Sequence, residues 1–186
     1  MRASVPRSRM TSAEFIDWAR RQPSGRYELV GGEAVAMSPE RVTHLRVKLD
    51  VAVALRAAVA TAVLPCEVLP DGASIVIDDH HVHEPDALVR CGEPLEGSLV
   101  EIPDPLIVVE VLSPSNTRAE MEAKLARYWT VPPIRHCLVV DPDARTVTHL
   151  RRGGDESILT RIVRRGTLVL VPPGLAVEVE AFFGSA

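Results

Sequence analysis

Aromatic side chains are scarce in this sequence, at 4% of 186 residues. So few aromatics argue against a stacking platform for single-stranded nucleic acid. An excess of basic charge is also missing: the formal net charge is −4 at pH 7, so no overall positive field favours a polyanionic partner. The negative net charge weakens the case for DNA binding. It does not exclude DNA binding, because a carboxylate metal site is itself acidic and a bound cation reverses the local sign.

Cysteine is rare and unclustered. The three cysteines, Cys66, Cys91 and Cys137, lie far apart without a CxxC pair. This spacing argues against a disulfide framework or a structural zinc site and fits a reducing compartment. The first ten residues hold no apolar signal core, and no stretch approaches the roughly 18 apolar residues of a membrane span. We therefore expect a cytoplasmic protein that does not enter a membrane.

The rest of the composition, 46% hydrophobic and 25% charged, is that of a globular domain. We expect residues 1–10 to be a disordered leader and residues 11–186 to form a single domain. Thr11 and Glu14 form a capping-box pattern that predicts a short helix. Gly31-Gly32, between two strand-like runs, predicts an N-terminal hairpin.

The next elements alternate between helix and strand patterns. A long helix is predicted over about residues 39–63, with an apolar stripe of Val42, Leu45, Leu49, Val53 and Val59. Strand patterns follow at 67–69, 73–77, 86–89 and 106–112, then a helix at 117–129, a strand at 137–140, and further strands at 146–151, 157–163 and 167–171. The fold class is therefore mixed α/β: helix, several strands, helix and strand, with an added N-terminal hairpin and a C-terminal antiparallel β meander.

Three residues point to chemistry. Asp86 begins one strand, Glu110 lies inside a nearly continuous apolar strand, and Lys124 lies on the helix that follows. A buried, unpaired carboxylate is costly, so Glu110 needs a partner. Mg²⁺ and similar cations take oxygen ligands, which the two carboxylates and the main-chain carbonyl of Val111 could supply. The lysine could stabilise phosphate charge or help to activate a water molecule.

Several motifs stand in a fixed order over residues 12–170. They are Tyr27-Glu28-Leu29 with Gly32-Glu33, Pro39 with His44, Pro85-Asp86, Val109-Glu110-Val111-Leu112-Ser113-Pro114-Ser115, Lys124 with Tyr128, and Val139-Val140-Asp141-Pro142. Together they resemble the Uma-two family, a bacterial group of restriction-endonuclease relatives in the PD-(D/E)XK nuclease superfamily. The resemblance implies a restriction-endonuclease-like fold, whose core is a helix, three strands, a helix and a strand, and an endonuclease that hydrolyses DNA with Mg²⁺ or Mn²⁺. A homodimer would suit duplex DNA, because each strand needs its own cut.

The resemblance also implies site residues. Asp86 matches the first metal carboxylate and Glu110 the second, while Glu28 and His44 are expected to line the same site. In the standard superfamily pattern the lysine lies two residues after the second carboxylate, where this chain has Leu112. The resemblance places it instead at Lys124, on the following helix.

Other interpretations of these residues stay open. Glu110 and Lys124 could form a buried ion pair without a metal. Lys124 could also be a solvated residue paired with Glu120, four positions earlier. Glu28 could lie on a solvated strand face, and His44 could be a packing residue.

Two further alternatives concern a polar segment and the function itself. Residues 78–84 include His81 and His83, which could bind a transition metal, but a solvated hairpin tip is the simpler interpretation. Tyr128 could support the lysine or pack in the core. The chain could also be a non-catalytic regulatory or interaction module that keeps a nuclease-like fold, or a hydrolase of small molecules.

Overall fold

A six-stranded mixed sheet lies at the centre of the fold in the computed structural model, which describes residues 9–114, 117–155 and 157–184. The helices are α1 (Ser12–Arg20), α2 (Val42–Ala62) and α3 (Arg118–Tyr128), with a closing 3₁₀ helix at Val179–Phe183. The strands are β1 (Tyr27–Val30), β2 (Glu33–Ala36), β3 (Cys66–Pro70), β4 (Ile75–Asp78), β5 (His81–His83), β6 (Ala87–Cys91), β7 (Pro105–Val111), β8 (His136–Asp141), β9 (Thr146–Arg152), β10 (Ile158–Val163), β11 (Thr167–Leu170) and β12 (Leu175–Glu178).

The central sheet has the strand order β10-β9-β8-β7-β6-β3. Only β7 and β8 pair in parallel among its neighbouring strands, and α3 provides the crossover between them. The mixed α/β class and the predicted order of helix, three strands, helix and strand are confirmed as α2, β3, β6, β7, α3 and β8. The capping-box helix is also confirmed as α1.

The two faces of the central sheet are covered by different helices. Val109 and Val111 of β7 belong to the same hydrophobic cluster as the inner residues of α2. Val108 belongs to the cluster on the opposite face, which includes Tyr128 of α3. Because side chains alternate along a strand, Glu110 points to the same face as Val108 and therefore towards α3.

A smaller sheet, with the order β2-β1-β5-β4, covers the site from the N-terminal side. Its β1–β2 hairpin is confirmed, and both turn glycines have the positive φ that a primed turn needs, 60° at Gly31 and 83° at Gly32. Residues 78–84 do form a hairpin, but β5 was missed. The solvated interpretation is wrong for His83, which is 1% exposed.

The C-terminal region differs from the predicted continuous meander. Strands β9 and β10 extend the central sheet in antiparallel fashion, whereas β11 leaves it and pairs with β12. Leu168, Leu170, Leu175 and Val177 on this hairpin are buried in the same cluster as α2. Burial against the helix therefore takes precedence over continued pairing with β10.

The predicted apolar stripe of α2 points the wrong way. Val42, Leu45, Leu49 and Val53 are 61%, 49%, 64% and 58% exposed, and only Val59 is buried. Val47, Val51, Leu55 and Ala58 face the sheet instead. The helix is apolar on almost every side, so its periodicity does not identify the buried face.

The sequence argues against a disulfide framework, but Cys66 and Cys91 lie opposite each other on β3 and β6 and form a disulfide bond. Their separation of 25 residues carries no signal, since strand register alone brings them together. The cysteines therefore no longer support a reducing compartment, and the cytoplasmic location stays a prediction. None of the described helices has the length and hydropathy of a membrane span.

The predicted division into a leader and one domain also stays a prediction. Residues 1–8 of that leader lie outside the described residues.

Candidate active site

A pocket of about 560 Å³ opens where the β1–β2 hairpin, the start of α2, β6, the end of β7, and α3 meet. All the predicted site residues line it: Glu28, His44, Asp86, Glu110, Val111 and Lys124. The fold therefore brings these residues together, and their individual roles remain predictions.

Asp86 is fixed at the start of β6, where it is 7% exposed. The pairing of β6 with β7 places it beside the end of β7, where the Val111 amide donates to Oδ2 at 2.6 Å. The other carboxylate oxygen, Oδ1, lies 3.0 Å from Nζ of Lys48. This carboxylate is therefore held by a main-chain amide on one side and by an ammonium group on the other.

Glu110 is also buried and held by α3. The Tyr128 hydroxyl donates to Oε1 at 2.6 Å, and Nζ of Lys124 lies 2.7 Å from the same oxygen. Burial raises the pKa of Glu110 to about 7, and the charges of Asp86 and Glu28 add to that effect against the attraction of Lys124. Glu110 therefore sits where its negative charge is costly unless a further positive charge is nearby.

Lys124 reaches the pocket from α3 and lies between two carboxylates, since Glu28 Oε1 is 3.0 Å from its Nζ. Burial lowers the pKa of Lys124, but Glu110 and Glu28 more than offset this, so the net shift is upward. The alternative pairing with Glu120 is wrong: Glu120 instead accepts hydrogen bonds from the backbone and hydroxyl of Thr117, the N-cap of α3.

His44 lies on the inner face of α2, 7% exposed. Its Nε2 is 2.8 Å from the carbonyl oxygen of Val111. A carbonyl only accepts, so Nε2 donates and carries the proton. Nδ1 then faces Oε2 of Glu40 at 3.3 Å, and neither of these buried atoms has a hydrogen-bond partner among the described residues. Two such electron-rich atoms side by side suit a proton or a cation between them.

The sequence profile of a family described as "Putative restriction endonuclease", Uma2, matches residues 12–182. The chain belongs to the Uma2 family. The resemblance drawn from the ordered motifs is therefore confirmed.

Two known proteins resemble this Uma2 chain over most of its length. "Uncharacterized protein sll1609" of Synechocystis sp. is 23% identical over 165 residues, covering 83% of this chain and 88% of its own. A crystal structure from Anabaena variabilis, titled as a putative nuclease belonging to DUF820, has a TM-score of 0.73 at 16% identity. It covers 94% of this chain and 97% of its own, and it supports the fold.

Lys48 is the main residue beside this pocket that the sequence did not predict. It is 6% exposed, and its Nζ lies 2.8 Å from Glu40 Oε1 as well as beside Asp86 and Asp71. Burial lowers the pKa of Lys48, but attraction to these carboxylates raises it above its ordinary value.

A compositional signal could have identified this residue. Among 21 basic residues, this Uma2 chain has only two lysines, Lys48 and Lys124, and both are in the pocket region. His44 and Lys48 are four residues apart, which places them on one side of α2, and Glu40 precedes the helix.

The sequence also did not predict the residues that surround Glu28. The amide of Glu84 donates to Glu28 Oε1 at 2.8 Å, and the Arg26 guanidinium binds both Glu84 and Asp71. His83 lies 3.7 Å from Glu28 Oε1, and burial lowers the pKa of His83 to about 4. His83 is therefore neutral at pH 7 and contributes no positive charge.

The site as a whole carries an excess of carboxylates. In the ion-pair network that the described residues form around the pocket, six acidic side chains face three cationic ones: Glu28, Glu40, Asp71, Glu84, Asp86 and Glu110 against Arg26, Lys48 and Lys124. Buried charges are stable only when they are compensated. The imbalance indicates a place for additional positive charge.

Proposed function

We propose that this Uma2 protein is a metal-dependent nuclease that hydrolyses phosphodiester bonds of DNA. In this proposal Asp86, Glu110 and the carbonyl oxygen of Val111 hold Mg²⁺ or Mn²⁺, and Lys124 assists the hydrolysis. The observation that carries it is the excess of buried and half-buried carboxylates around one pocket, in a chain of a family described as "Putative restriction endonuclease".

The donor set fits a hard divalent cation. Carboxylate and carbonyl oxygens are the ligands that Mg²⁺ and Mn²⁺ prefer. The Val111 carbonyl has a second lone pair beside its contact with His44. The unpartnered Glu40 Oε2 and His44 Nδ1 offer further electron pairs at the same end of the pocket. Glu40, His44 and Asp86 offer ligand atoms that lie within 4.8 Å of one another.

The chain's own residues would divide the work. When bound, the cation supplies positive charge beside the phosphate and makes water a stronger nucleophile. Lys124 keeps its proton, so its ammonium group stabilises the charge that develops on the phosphate oxygens. Tyr128 orients Glu110, and Lys48 together with the Val111 amide orients Asp86. Rigid carboxylates lower the cost of assembling the site.

The metal part of the proposal is tested by labelling the two lysines with ¹³C at Cε, which gives one NMR signal for each. Substoichiometric Mn²⁺ should broaden both signals, because Lys124 contacts the proposed ligand Glu110 and Lys48 contacts the proposed ligand Asp86. Asp86→Asn should weaken the effect at least tenfold, whereas Glu122→Gln, on the exposed side of α3, should not change it. Signals unaffected by Mn²⁺ in the parent protein would refute the metal site.

The nuclease part is tested separately with plasmid and single-stranded DNA in Mg²⁺ or Mn²⁺. Glu110→Gln and Lys124→Met should each lower the rate at least a hundredfold, and Glu122→Gln should cut as the parent does. Equal cutting by all four proteins would identify a contaminating nuclease. Metal binding without cutting of either DNA would instead favour the non-catalytic module.

A further inference from the structure

The outer face of α2 is apolar along most of its length. Four large residues on this face, Val42, Leu45, Leu49 and Val53, are each about half exposed or more. Their spacing of three, four and four residues places them in one stripe. The exposed Ala60 continues the stripe towards the end of the helix. A helix that faces only water normally presents polar residues there, so this stripe suits a protein contact.

The charged residues beside the stripe are self-complementary. Arg46 and Asp50 lie on one flank of it, and neither forms an ion pair with any described residue. Arg56, seven residues after Leu49, lies in line with the stripe itself, and the described helix has no acidic residue on the opposite flank. Because this flank carries both charges, it can pair with the same flank of a second copy when the two helices run antiparallel.

We propose that two copies of this chain associate through the outer faces of α2, packed antiparallel about a two-fold axis near Leu49. Leu49 then meets Leu49 of the second copy, and Leu45 meets Val53. Arg46 of each copy reaches Asp50 of the other, giving two equivalent ion pairs. A parallel arrangement would place the Arg46 and Asp50 flank against the opposite flank of the second copy, where the described helix has no carboxylate, and leave Arg46 without a partner.

The arrangement leaves both pockets open. His44 and Lys48 lie on the inner face of α2, opposite the proposed contact. At 1.5 Å per residue, the two His44 residues would be about 15 Å apart along the helix axes. The use of such a pair for cutting both strands rests on the proposed function, but the association itself does not.

The test is the mass of the protein in solution, measured by sedimentation equilibrium at micromolar concentrations. The parent should have twice the chain mass of 20.3 kDa. Leu49→Glu should weaken dimerisation at least a hundredfold, because it brings two carboxylates together at the axis. Ile162→Glu is the matched control, since Ile162 is 67% exposed on β10, and it should remain dimeric.

A charge exchange tests the register. Arg46→Asp and Asp50→Arg should each weaken the dimer about tenfold or more, and the double variant should restore it. Circular dichroism checks that each variant is folded. Failure of the double variant to recover would overturn the antiparallel register. A monomeric parent, including one that binds anionic vesicles through α2, would overturn the dimer.

Mn²⁺ binding separates this inference from the proposed function. The Leu49→Glu monomer should bind Mn²⁺ as the parent does if both are correct. If the Leu49→Glu monomer loses Mn²⁺ binding while the parent keeps it, the inference that the dimer contact is separate from the pocket is contradicted. A dimer in which neither protein binds Mn²⁺ would refute the metal site and leave the dimer in place.

Discussion

Replacing Glu110 with glutamine should stabilise the metal-free protein at alkaline pH, although it removes a partner of Lys124. Glutamine keeps the size of the side chain and an oxygen that can accept from Tyr128. Lys124 retains Glu28 at 3.0 Å. In the parent, the carboxylates of Glu110 and Glu28 share the ammonium group of Lys124. In the variant, Glu28 alone pairs with that ammonium group.

The magnitude follows from the raised pKa of Glu110. Its pKa moves from 4.5 to about 7 on folding, so the folded state binds the proton more tightly than the unfolded chain does. This favours folding at low pH, and the advantage is lost as the pH rises from about 4.5 through 7. At about 1.4 kcal/mol per pKa unit, the ionised carboxylate costs up to about 3 kcal/mol at pH 8. Glutamine avoids that cost.

Urea denaturation with EDTA and with Mn²⁺ measures the effect. In EDTA the variant should exceed the parent by up to about 3 kcal/mol at pH 8 and by only about 1 kcal/mol at pH 5. Saturating Mn²⁺ should stabilise the parent, by about 2.7 kcal/mol at a hundred times its Kd, but leave the variant nearly unchanged. Glu122→Gln, in an exposed pair with Arg118, should stay within about 0.5 kcal/mol of the parent.

The opposite result would refute the reasoning. A variant destabilised by about 3–5 kcal/mol in EDTA would behave as a broken buried ion pair. Glu110 would then be the structural partner of Lys124, and the carboxylate excess would not indicate a metal.

Further predictions concern the supporting residues and pH. Lys48→Met should cost about 3 kcal/mol of unfolding free energy in EDTA, because Asp86 loses a cation; no loss in urea denaturation would contradict this. Tyr128→Phe removes a donor from Glu110 and should cost about 1–2 kcal/mol, and an unchanged urea midpoint would show that the hydrogen bond contributes nothing. Calorimetry should show Mn²⁺ affinity falling as the pH drops below about 7, since a proton on Glu110 competes with the cation; a flat profile would contradict this. Burial lowers the pKa of His149 from 6.5 to about 4. Between these values the unfolded chain binds a proton at His149 and the folded protein does not, so the free energy of unfolding decreases as the pH falls from 6.5 towards 4. The parent should lose about 2 kcal/mol more than His149→Gln between pH 7 and 4.5, and equal losses in urea denaturation would show that His149 does not contribute.

Local patterns determine what the sequence could reveal of the fold. The α1 capping box, the Gly31-Gly32 turn and the apolar run of β7 depend on near neighbours, so they predict their elements correctly. The face of α2 and the Cys66–Cys91 pair depend on packing and strand register across the molecule. No local pattern records them.

The same distinction applies to the site. A glutamate within an apolar strand can be recognised from the sequence alone. The residues that contact it, Lys124 and Tyr128, follow only 14 and 18 residues later. Lys48 resembles an ordinary helical lysine, because its partner Asp71 lies in a distant loop. The composition of the whole chain, with two lysines among 21 basic residues, was the available signal.

The contacts that assemble the pocket span very different sequence separations. Glu110 and Lys124 are 14 residues apart, so β7 and α3 can join them as one local unit. His44 contacts Val111 across 67 residues, and closing that loop costs about 1.4 kcal/mol more chain entropy. The β7–α3 half should therefore form first, with the α2 half docking late.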